Sequence, residues 1–186
     1  MRKVTVFNFV TLNGYFEGPN GDFSWHRHGD EECEYSAESL RSGNILLFGR
    51  VTYKIMASYW PTENAITSFP IVAERMNKAE KIVFSRSLAE AVWNNTRLVK
   101  DNIVEEISKL KKMPGKDMTI LGSGSIVTQF AEQGLIDEYE IMVDPVIIGQ
   151  GTTMFKDIKR KLDLTLTATR TFKSGVILLS YRPAER

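Results

Sequence analysis

Four short runs of apolar and β-branched residues predict buried strands. They cover residues 4–10, 45–48, 81–84 and 118–121. Each run is too short for a helix, and the last three are followed directly by Gly49, Ser85 and Gly122, which are typical turn residues. Continuous runs of this length are typical of strands covered on both faces, so we expect a sheet packed between helices.

Helical patterns occupy several of the segments that connect these strands. Helical periodicity, with stop signals at Gly43, Pro61 and Gly134, predicts helices over residues 30–40, 51–59, 103–110 and 125–133. Asp30 is the predicted N-cap of the first helix, and Asp101 or Asn102 that of the third. Residues 14–29 show neither the helical nor the strand periodicity of apolar residues. They are rich in Gly, aromatic and charged residues, which predicts a long loop over a pocket.

The pattern changes after residue 138. Strands are predicted over residues 138–148, 162–171 and 176–182, and Lys173-Ser174-Gly175 forms the last tight connection. Helices separate the early strands, whereas hairpins join the late ones. This order predicts an α/β fold with a mixed, mostly parallel sheet and an antiparallel C-terminal edge. Because an exposed edge favours pairing across a two-fold axis, we expect the chain to self-associate.

Composition narrows the class of protein. The 186 residues suit one domain over residues 1–186, and 42% of them are hydrophobic. The 24 Lys and Arg against 23 Asp and Glu give a net charge of +1, which does not favour a nucleic-acid binder. Cys33 is the only cysteine, which excludes an internal disulfide and favours a reducing compartment. Neither a membrane-spanning run nor a secretory signal is recognisable, so we expect a cytoplasmic protein.

Three turns carry the most informative chemistry. Gly49-Arg50-Val51-Thr52-Tyr53, Ser85-Arg86-Ser87 and Gly122-Ser123-Gly124-Ser125 each follow a predicted strand. Helix N-termini and hydroxyls bind phosphate oxygens, and a guanidinium holds a phosphate through two hydrogen bonds. Ligands of open α/β sheets bind at the carboxyl ends of strands, so the three turns together predict a site for an extended ligand with several phosphates.

Each turn alone is also consistent with an ordinary strand-to-helix connection. In the third turn, glycines 122 and 124 would let a ligand approach the backbone closely. That turn lacks the lysine of the P-loop and the third glycine of the dinucleotide fingerprint, where Val127 or Thr128 stands instead. The motif therefore does not identify the ligand by itself.

With these motifs the chain resembles the dihydrofolate reductase-like family, most closely the branch related to the reductase domain of the bifunctional riboflavin-biosynthesis deaminase-reductase. The resemblance spans nearly the whole chain. It rests on the order of Thr11-Leu12-Asn13-Gly14-Tyr15, Leu47-Phe48-Gly49-Arg50-Val51-Thr52-Tyr53, Val83-Phe84-Ser85-Arg86, Leu121-Gly122-Ser123-Gly124-Ser125, Gly134-Leu135-Ile136-Asp137-Glu138 and Asp144-Pro145-Val146-Ile147-Ile148-Gly149-Gln150-Gly151. It implies a single-domain, three-layer α/β/α fold and an NADPH-dependent reductase of a small heterocycle, pterin-like or ribosylaminopyrimidine-like. It also implies a homodimer.

The resemblance also implies where NADPH lies. The 2′-phosphate is expected near Arg50 and Ser85-Arg86, and the pyrophosphate between Thr52 and the third turn. Two cationic side chains suit the extra ribose phosphate of NADPH, whereas NAD is usually held by a carboxylate on the ribose. The predicted cofactor-binding residues are therefore Gly49, Arg50, Thr52, Ser85, Arg86, Gly122, Ser123, Gly124 and Ser125.

The substrate side is less defined. Asn13, Glu34 and Asp22 are the candidate catalytic residues, with either carboxylate or a bound water as proton donor. The flat rings of Phe16, Trp25 and Tyr53 are the expected pocket walls for a planar heterocycle. The resembling branch usually has aspartate in place of Asn13. The folate enzymes carry a carboxylate on the first helix, for which Glu31 and Glu34 are the nearest counterparts without a matching motif.

Other interpretations stay open. His26 and His28 are expected at the surface, and two histidines without a third ligand do not predict a metal site. A non-catalytic NADP(H)-binding or nucleotide-binding module of the same fold would keep the phosphate turns. An enzyme of a sugar phosphate or mononucleotide would use the same turns without transferring a hydride.

Overall fold

Ten strands and six helices form the fold in the computed structural model, which describes residues 1–184. The strands are β1 Val4–Thr11, β2 Tyr15–Glu17, β3 Ile45–Gly49, β4 Lys81–Phe84, β5 Thr96–Val99, β6 Met118–Leu121, β7 Glu138–Asp144, β8 Thr152–Thr153, β9 Leu164–Thr171 and β10 Ile177–Pro183. The helices are α1 Asp30–Arg41, α2 Arg50–Tyr59, α3 Glu63–Ser68, α4 Pro70–Lys78, α5 Ile103–Lys112 and α6 Gly124–Glu132.

Eight of the strands form one sheet in the order β5-β4-β3-β6-β1-β7-β10-β9. The pairs from β5 to β7 are parallel, and β10 pairs antiparallel with both β7 and β9. β2 and β8 form a separate antiparallel pair. The predicted mixed sheet with an antiparallel C-terminal edge is confirmed.

The four predicted helices are present, with ends within a few residues of the predicted ones, and the structure contains further helices. α3 and α4 were not predicted, because α3 has only six residues and α4 begins directly after it with Pro70 at its first position. The N-cap of α1 is Gly29 rather than Asp30, which is the first helical residue. β7 ends at Asp144 rather than at residue 148, since Pro145 has no amide to continue the ladder. Within residues 1–184 no helix has the length and apolar character needed to cross a membrane.

Two apolar clusters cover the opposite faces of the sheet. Successive residues of β3 alternate between them: Leu47 packs with α5 and α6, whereas Leu46 and Phe48 pack with α2 and α4. This alternation follows from the two-residue period of a strand. The strands read as continuous apolar runs because both faces are buried, and the result is the predicted three-layer α/β/α arrangement.

Lys81 is the one charged residue in these central runs. Its side chain is buried, and Nζ donates to the carbonyls of Asn77, Ala79 and Asn94 at 2.6–3.2 Å. Nζ also lies 4.5 Å from the ring centre of Trp93. Burial lowers the pKa of Lys81 to about 8. Lys81 therefore joins the start of β4 to the end of α4 and to the loop before β5.

The last strand in the sheet order, β9, lies at its edge. All eight of its residues are exposed, including Leu164 and Leu166. An edge of this kind offers unpaired backbone groups to another strand. The pairing of two chains stays a prediction.

Phe130→Ala tests the core under α6. Phe130 is fully buried and contacts Phe84 edge to face, with ring centres 5.7 Å apart. The cavity left by the missing ring should lower the free energy of unfolding by about 3–5 kcal/mol. Denaturant titration measures this, with exposed Gln129→Ala as the control from the same helix. An equal, small effect of both variants would contradict the packing described.

Candidate active site

The three predicted turns follow adjacent strands β4, β3 and β6 and converge on one groove of about 1010 Å³. We call this the turn groove. The predicted cofactor-binding residues that line it are Gly49, Arg50, Thr52, Ser85, Arg86, Ser123, Gly124 and Ser125. Gly122 lines an adjoining cavity instead. The structure therefore brings together side chains that are up to 75 residues apart in sequence, at the carboxyl edge of the sheet where ligands of such folds bind.

Ser123 holds the first and third turns together. Its hydroxyl accepts a hydrogen bond from the Gly49 amide at 2.7 Å and donates to Thr52 Oγ1 at 3.0 Å. Its own amide donates to the same Thr52 oxygen at 3.1 Å. Ser123 is buried and has a left-handed backbone, with φ of 61°. These bonds fix the N-termini of α2 and α6 on the same groove.

Neighbouring protein atoms occupy the space that a side chain would need at either glycine of the third turn. Gly122 has φ of 62°, and a Cβ there would lie 2.8 Å from Thr52 Cγ2. A Cβ on Gly124 would lie 3.2 Å from the Phe16 ring and 3.3 Å from the Met154 carbonyl. Their missing side chains allow Thr52 and Phe16 to pack against the turn, and close approach of a ligand to this backbone stays a prediction.

The second turn contributes the guanidinium of Arg86 to the groove, whereas the hydroxyl of Ser85 already takes part in hydrogen bonds within the protein. Ser85 is buried, and its oxygen accepts from the amides of Ser87 at 3.2 Å and Leu88 at 3.0 Å. Arg86 is exposed and forms an ion pair of 3.3 Å with Asp101 across the groove rim. Exposed pairs of this kind contribute little and are easily exchanged for another anion. Arg50, the first residue of α2, is also exposed.

A second cavity, of about 500 Å³, adjoins the turn groove. Phe16, Glu17 and Thr52 line both, so the two spaces meet there. We call it the aromatic cavity, because its walls include the rings of Phe9, Phe16, Phe23, Trp25, Tyr59, Trp60 and Phe69. Trp60 and Phe69 contact edge to face, with ring centres 6.4 Å apart. The cavity fits a flat, apolar molecule next to the groove.

His26 and Asp144 form a buried pair at this cavity. Nδ1 of His26 lies 2.7 Å from Asp144 Oδ2, and the Arg27 amide donates to Oδ1 of the same carboxylate at 2.9 Å. The His26 ring stacks on Phe9 with ring centres 3.7 Å apart. Its Nε2 is buried and has no partner among residues 1–184. When Nδ1 donates to Asp144, Nε2 is the nitrogen that remains for a ligand.

His28 lies beside His26, with the two ring centres 4.3 Å apart and the rings nearly perpendicular. It lines the same cavity and stays exposed to it. Burial against neighbouring rings lowers the pKa of His28 to about 4, and the adjacent His26 contributes to this shift. His28 is therefore neutral at pH 7. Both histidines belong to the cavity, so the expectation of two surface histidines is wrong for His26.

Phe16 and Trp25 line the aromatic cavity as predicted, but Tyr53 does not. Tyr53 is buried in the core between Phe48 and Trp93, and its hydroxyl accepts the Trp93 amide at 2.9 Å. It follows Thr52 on α2, so it points about a quarter turn away from the groove. The prediction that Tyr53 forms a pocket wall is corrected.

None of the three predicted catalytic residues lines either space. The Asn13 amide donates to the Ile148 carbonyl at 2.8 Å and its oxygen accepts from Ile148 N at 3.3 Å, which holds the loop after β7. The exposed Asp22 carboxylate accepts from Ser24 N at 3.0 Å, and this bond lowers its pKa. Glu34 is exposed on α1 and lines neither space. Glu31, the other counterpart of the folate carboxylate, also lines neither space, and it accepts a hydrogen bond from the Lys173 amide at 2.9 Å.

Sequence reasoning missed the polar residues that do line the aromatic cavity, which include Asn8, His26 and His28. It also missed Asp144, which is fully buried behind His26. One signal was available: Asp144 ends an alternating strand directly before Pro145, where a buried carboxylate requires a partner. Which residue supplies that partner depends on the path of the 14–29 loop, and no periodicity fixes this path.

The comparisons with known proteins agree with this geometry. Residues 2–178 match the model of the RibD C-terminal domain, and the chain belongs to this family. It is 34% identical over 180 residues to the uncharacterized protein YyaP of Bacillus subtilis (strain 168), covering 97% of this chain and 94% of that protein.

Two solved structures show the same fold. A putative riboflavin biosynthesis protein from Shewanella sp. PV-4 has a TM-score of 0.75 at 20% identity, covering 98% of this chain and 99% of that one. Dihydrofolate reductase from Enterococcus faecalis, solved in complex with NADP(H), has a TM-score of 0.66 at 16% identity, covering 98% and 97%. The predicted dihydrofolate reductase-like fold is therefore confirmed.

Tyr53→Phe separates a core role from a pocket role. Removal of the hydroxyl leaves the buried Trp93 amide without its acceptor, which should lower the free energy of unfolding by about 1–3 kcal/mol. Affinity for any ligand of the aromatic cavity should be unchanged. Denaturant titration and ligand titration of the same preparation measure the two effects, and a loss of affinity without a loss of stability would place Tyr53 in the site after all.

Proposed function

We propose that this protein is an NADPH-dependent reductase that transfers a hydride to a small molecule held in the aromatic cavity. The observation that carries the proposal is the junction of the two spaces at Phe16, Glu17 and Thr52. A long groove with helix N-termini and guanidinium groups suits an extended, phosphorylated cofactor, and its end opens onto a cavity suited to a planar substrate. Membership of the RibD C-terminal domain family supports the same assignment.

The groove residues fit the phosphates of NADPH. The first amides of α2 and α6 have no acceptor within their helices, and both helices begin at the groove. Ser125 adds an exposed hydroxyl at the start of α6. Arg50 and Arg86 are the candidates for the 2′-phosphate, because both are exposed on the groove and neither is held by a buried partner.

When bound, reduced nicotinamide supplies the hydride, and the protein supplies binding, orientation and a proton. Thr52 and Ser123 fix the two turns on which the cofactor phosphates would rest. The aromatic walls exclude water from the substrate and keep its plane parallel to the neighbouring rings. The buried His26, oriented by Asp144, is the protein group best placed to exchange a proton.

A second candidate function is a non-catalytic NADP(H)-binding module. It is favoured by one observation: none of Asn13, Asp22 and Glu34, the expected catalytic residues, lines the cavity. The two functions differ in one measurement, the loss of NADPH absorbance with a panel of carbonyl compounds and imines. Tight NADPH binding without oxidation by any of them would favour the binding module.

Arg50→Ala and Arg86→Ala test the choice of cofactor. Each should weaken NADPH binding by about 1.5–3 kcal/mol, roughly tenfold to a hundredfold in Kd, because a charge-assisted contact with the 2′-phosphate is lost. NADH, which has no such phosphate, should bind each variant as it binds the unaltered protein. Fluorescence titration with both cofactors measures this.

Arg97→Ala is the matched control, since Arg97 pairs with Glu106 at 2.7 Å and does not line the groove. It should leave both affinities unchanged. Equal losses for NADPH and NADH in Arg50→Ala and Arg86→Ala would contradict recognition of the 2′-phosphate. A protein that binds neither cofactor would contradict the proposed function as a whole.

A further inference from the structure

Charge is distributed unevenly between the two spaces. Four cationic residues line the turn groove, namely Arg50, Arg86, Lys100 and Lys156, and four carboxylates line it too, namely Glu17, Asp101, Glu105 and Asp157. Within residues 1–184, no Lys or Arg lines the aromatic cavity, and the one carboxylate among its lining residues is Glu17. Glu17 lies at the junction, because it lines the groove as well. The cavity is therefore a neutral space with a negative group at its boundary.

This distribution argues against an anionic substrate. A phosphate or carboxylate that entered the cavity would lose hydration and find no Lys or Arg to replace it, and the charge of a protonated His26 is already balanced by Asp144, 2.7 Å away, so its entry is unfavourable in a space with apolar walls. Glu17 adds repulsion at the junction. A ribosylaminopyrimidine that carries a phosphate, or a folate with its glutamate carboxylates, would have to keep those groups outside the cavity.

The walls define the shape of the occupant. Phe9 and His26 are stacked with an angle of 26° between their planes, and they offer one flat face. Trp25, Trp60 and Phe69 contribute further rings to the lining. Aromatic walls bind planar, conjugated molecules by offset stacking and edge-to-face contacts. The occupant suited to these walls is a neutral ring system.

One buried polar group in this apolar lining has an atom without a hydrogen-bond partner. His26 is fixed by Asp144 through Nδ1, whereas its buried Nε2 has no partner in the described part of the chain. Buried polar atoms are almost always hydrogen-bonded, so an unpaired one marks a place for a ligand or a water. A protonated Nε2 donates, and the ligand atom that fits it is an oxygen acceptor such as a carbonyl.

We propose that the aromatic cavity binds a neutral, planar, conjugated carbonyl compound whose oxygen is hydrogen-bonded by His26. The inference rests on the proposed reductase function for its chemical step. A bound reduced nicotinamide would supply the hydride that forms a C–H bond at the carbonyl carbon, while the C=O π electrons would move to the oxygen. That oxygen takes the proton of the His26 imidazolium and becomes a hydroxyl. The carbonyl is reduced, the nicotinamide is oxidised, and His26 regains a proton from water.

A matched pair of ligands tests the charge selection without any cofactor. 2-Naphthaldehyde and 2-naphthoate share the same rings, and only the second is an anion at pH 7. Calorimetric titration of the full chain should show binding of the aldehyde and binding of the carboxylate that is at least tenfold weaker. Equal affinity for the two, tighter binding of 2-naphthoate, or no binding of the aldehyde would overturn the proposal.

A second experiment isolates the contact with His26. His26→Asn should weaken 2-naphthaldehyde binding about fivefold more than it weakens binding of naphthalene, because both ligands lose the ring contact and only the aldehyde also loses a hydrogen bond. His28→Asn is the matched control from the same cavity and should affect both ligands equally. Equal losses for both ligands in His26→Asn would contradict the contact.

Histidine-selective ¹⁵N NMR of the unaltered protein provides a measurement that does not depend on the variant's folding. The Nε2 resonance of His26 should shift on addition of 2-naphthaldehyde and not on addition of naphthalene. A resonance that both ligands shift equally would overturn the assigned contact.

These results are separable from those on the proposed function. NADPH titration of the turn groove reports on the reductase assignment, whereas naphthaldehyde titration reports on the cavity alone. Binding of NADPH without binding of the aldehyde overturns only the inference about the substrate. Binding of the aldehyde without binding of NADPH supports the cavity's selectivity and overturns the reductase function.

Discussion

The candidate site depends on the hydrogen bonds of one buried serine. Ser123 joins the turn after β6 to the turn after β3 through Gly49 and Thr52, with donor-to-acceptor distances of 2.7–3.1 Å. Each such bond stabilises the fold by only about 1 kcal/mol net. Their larger effect is geometric, because they fix the starts of α2 and α6 on one groove. The missing side chains of Gly122 and Gly124 allow this close packing.

The turn groove and the aromatic cavity meet at a junction but differ in the charged residues that line them. Lys and Arg side chains lie along the groove beside an equal number of carboxylates, whereas no Lys or Arg lines the aromatic cavity. The one buried ionisable pair of the cavity, His26 with Asp144, is held by a short contact of 2.7 Å and by the Arg27 amide. In the function proposed here, a single site would thus separate recognition of an anionic cofactor from recognition of a neutral substrate. Thr52 belongs to both spaces and connects them.

Sequence reasoning succeeded where a local rule decides the structure. β3, β4 and β6 are continuous apolar runs followed by turn residues, and the carboxyl ends of adjacent parallel strands must meet at one edge, so the groove could be anticipated from Gly49, Ser85 and Ser123. It failed where tertiary contacts decide. Tyr53 is on the right helix but on the wrong face, and Asn13 is in a conspicuous turn but holds the Ile148 loop. His26 is 118 residues from Asp144 in sequence, and that pairing has no local signal.

The most direct test of the account is a crystal structure of the protein with NADPH. We expect the pyrophosphate between the N-termini of α2 and α6, the 2′-phosphate within hydrogen-bond distance of Arg50 or Arg86, and the nicotinamide at the junction lined by Phe16 and Thr52. Cofactor density outside the turn groove, or an empty groove in crystals grown at saturating NADPH, would contradict it.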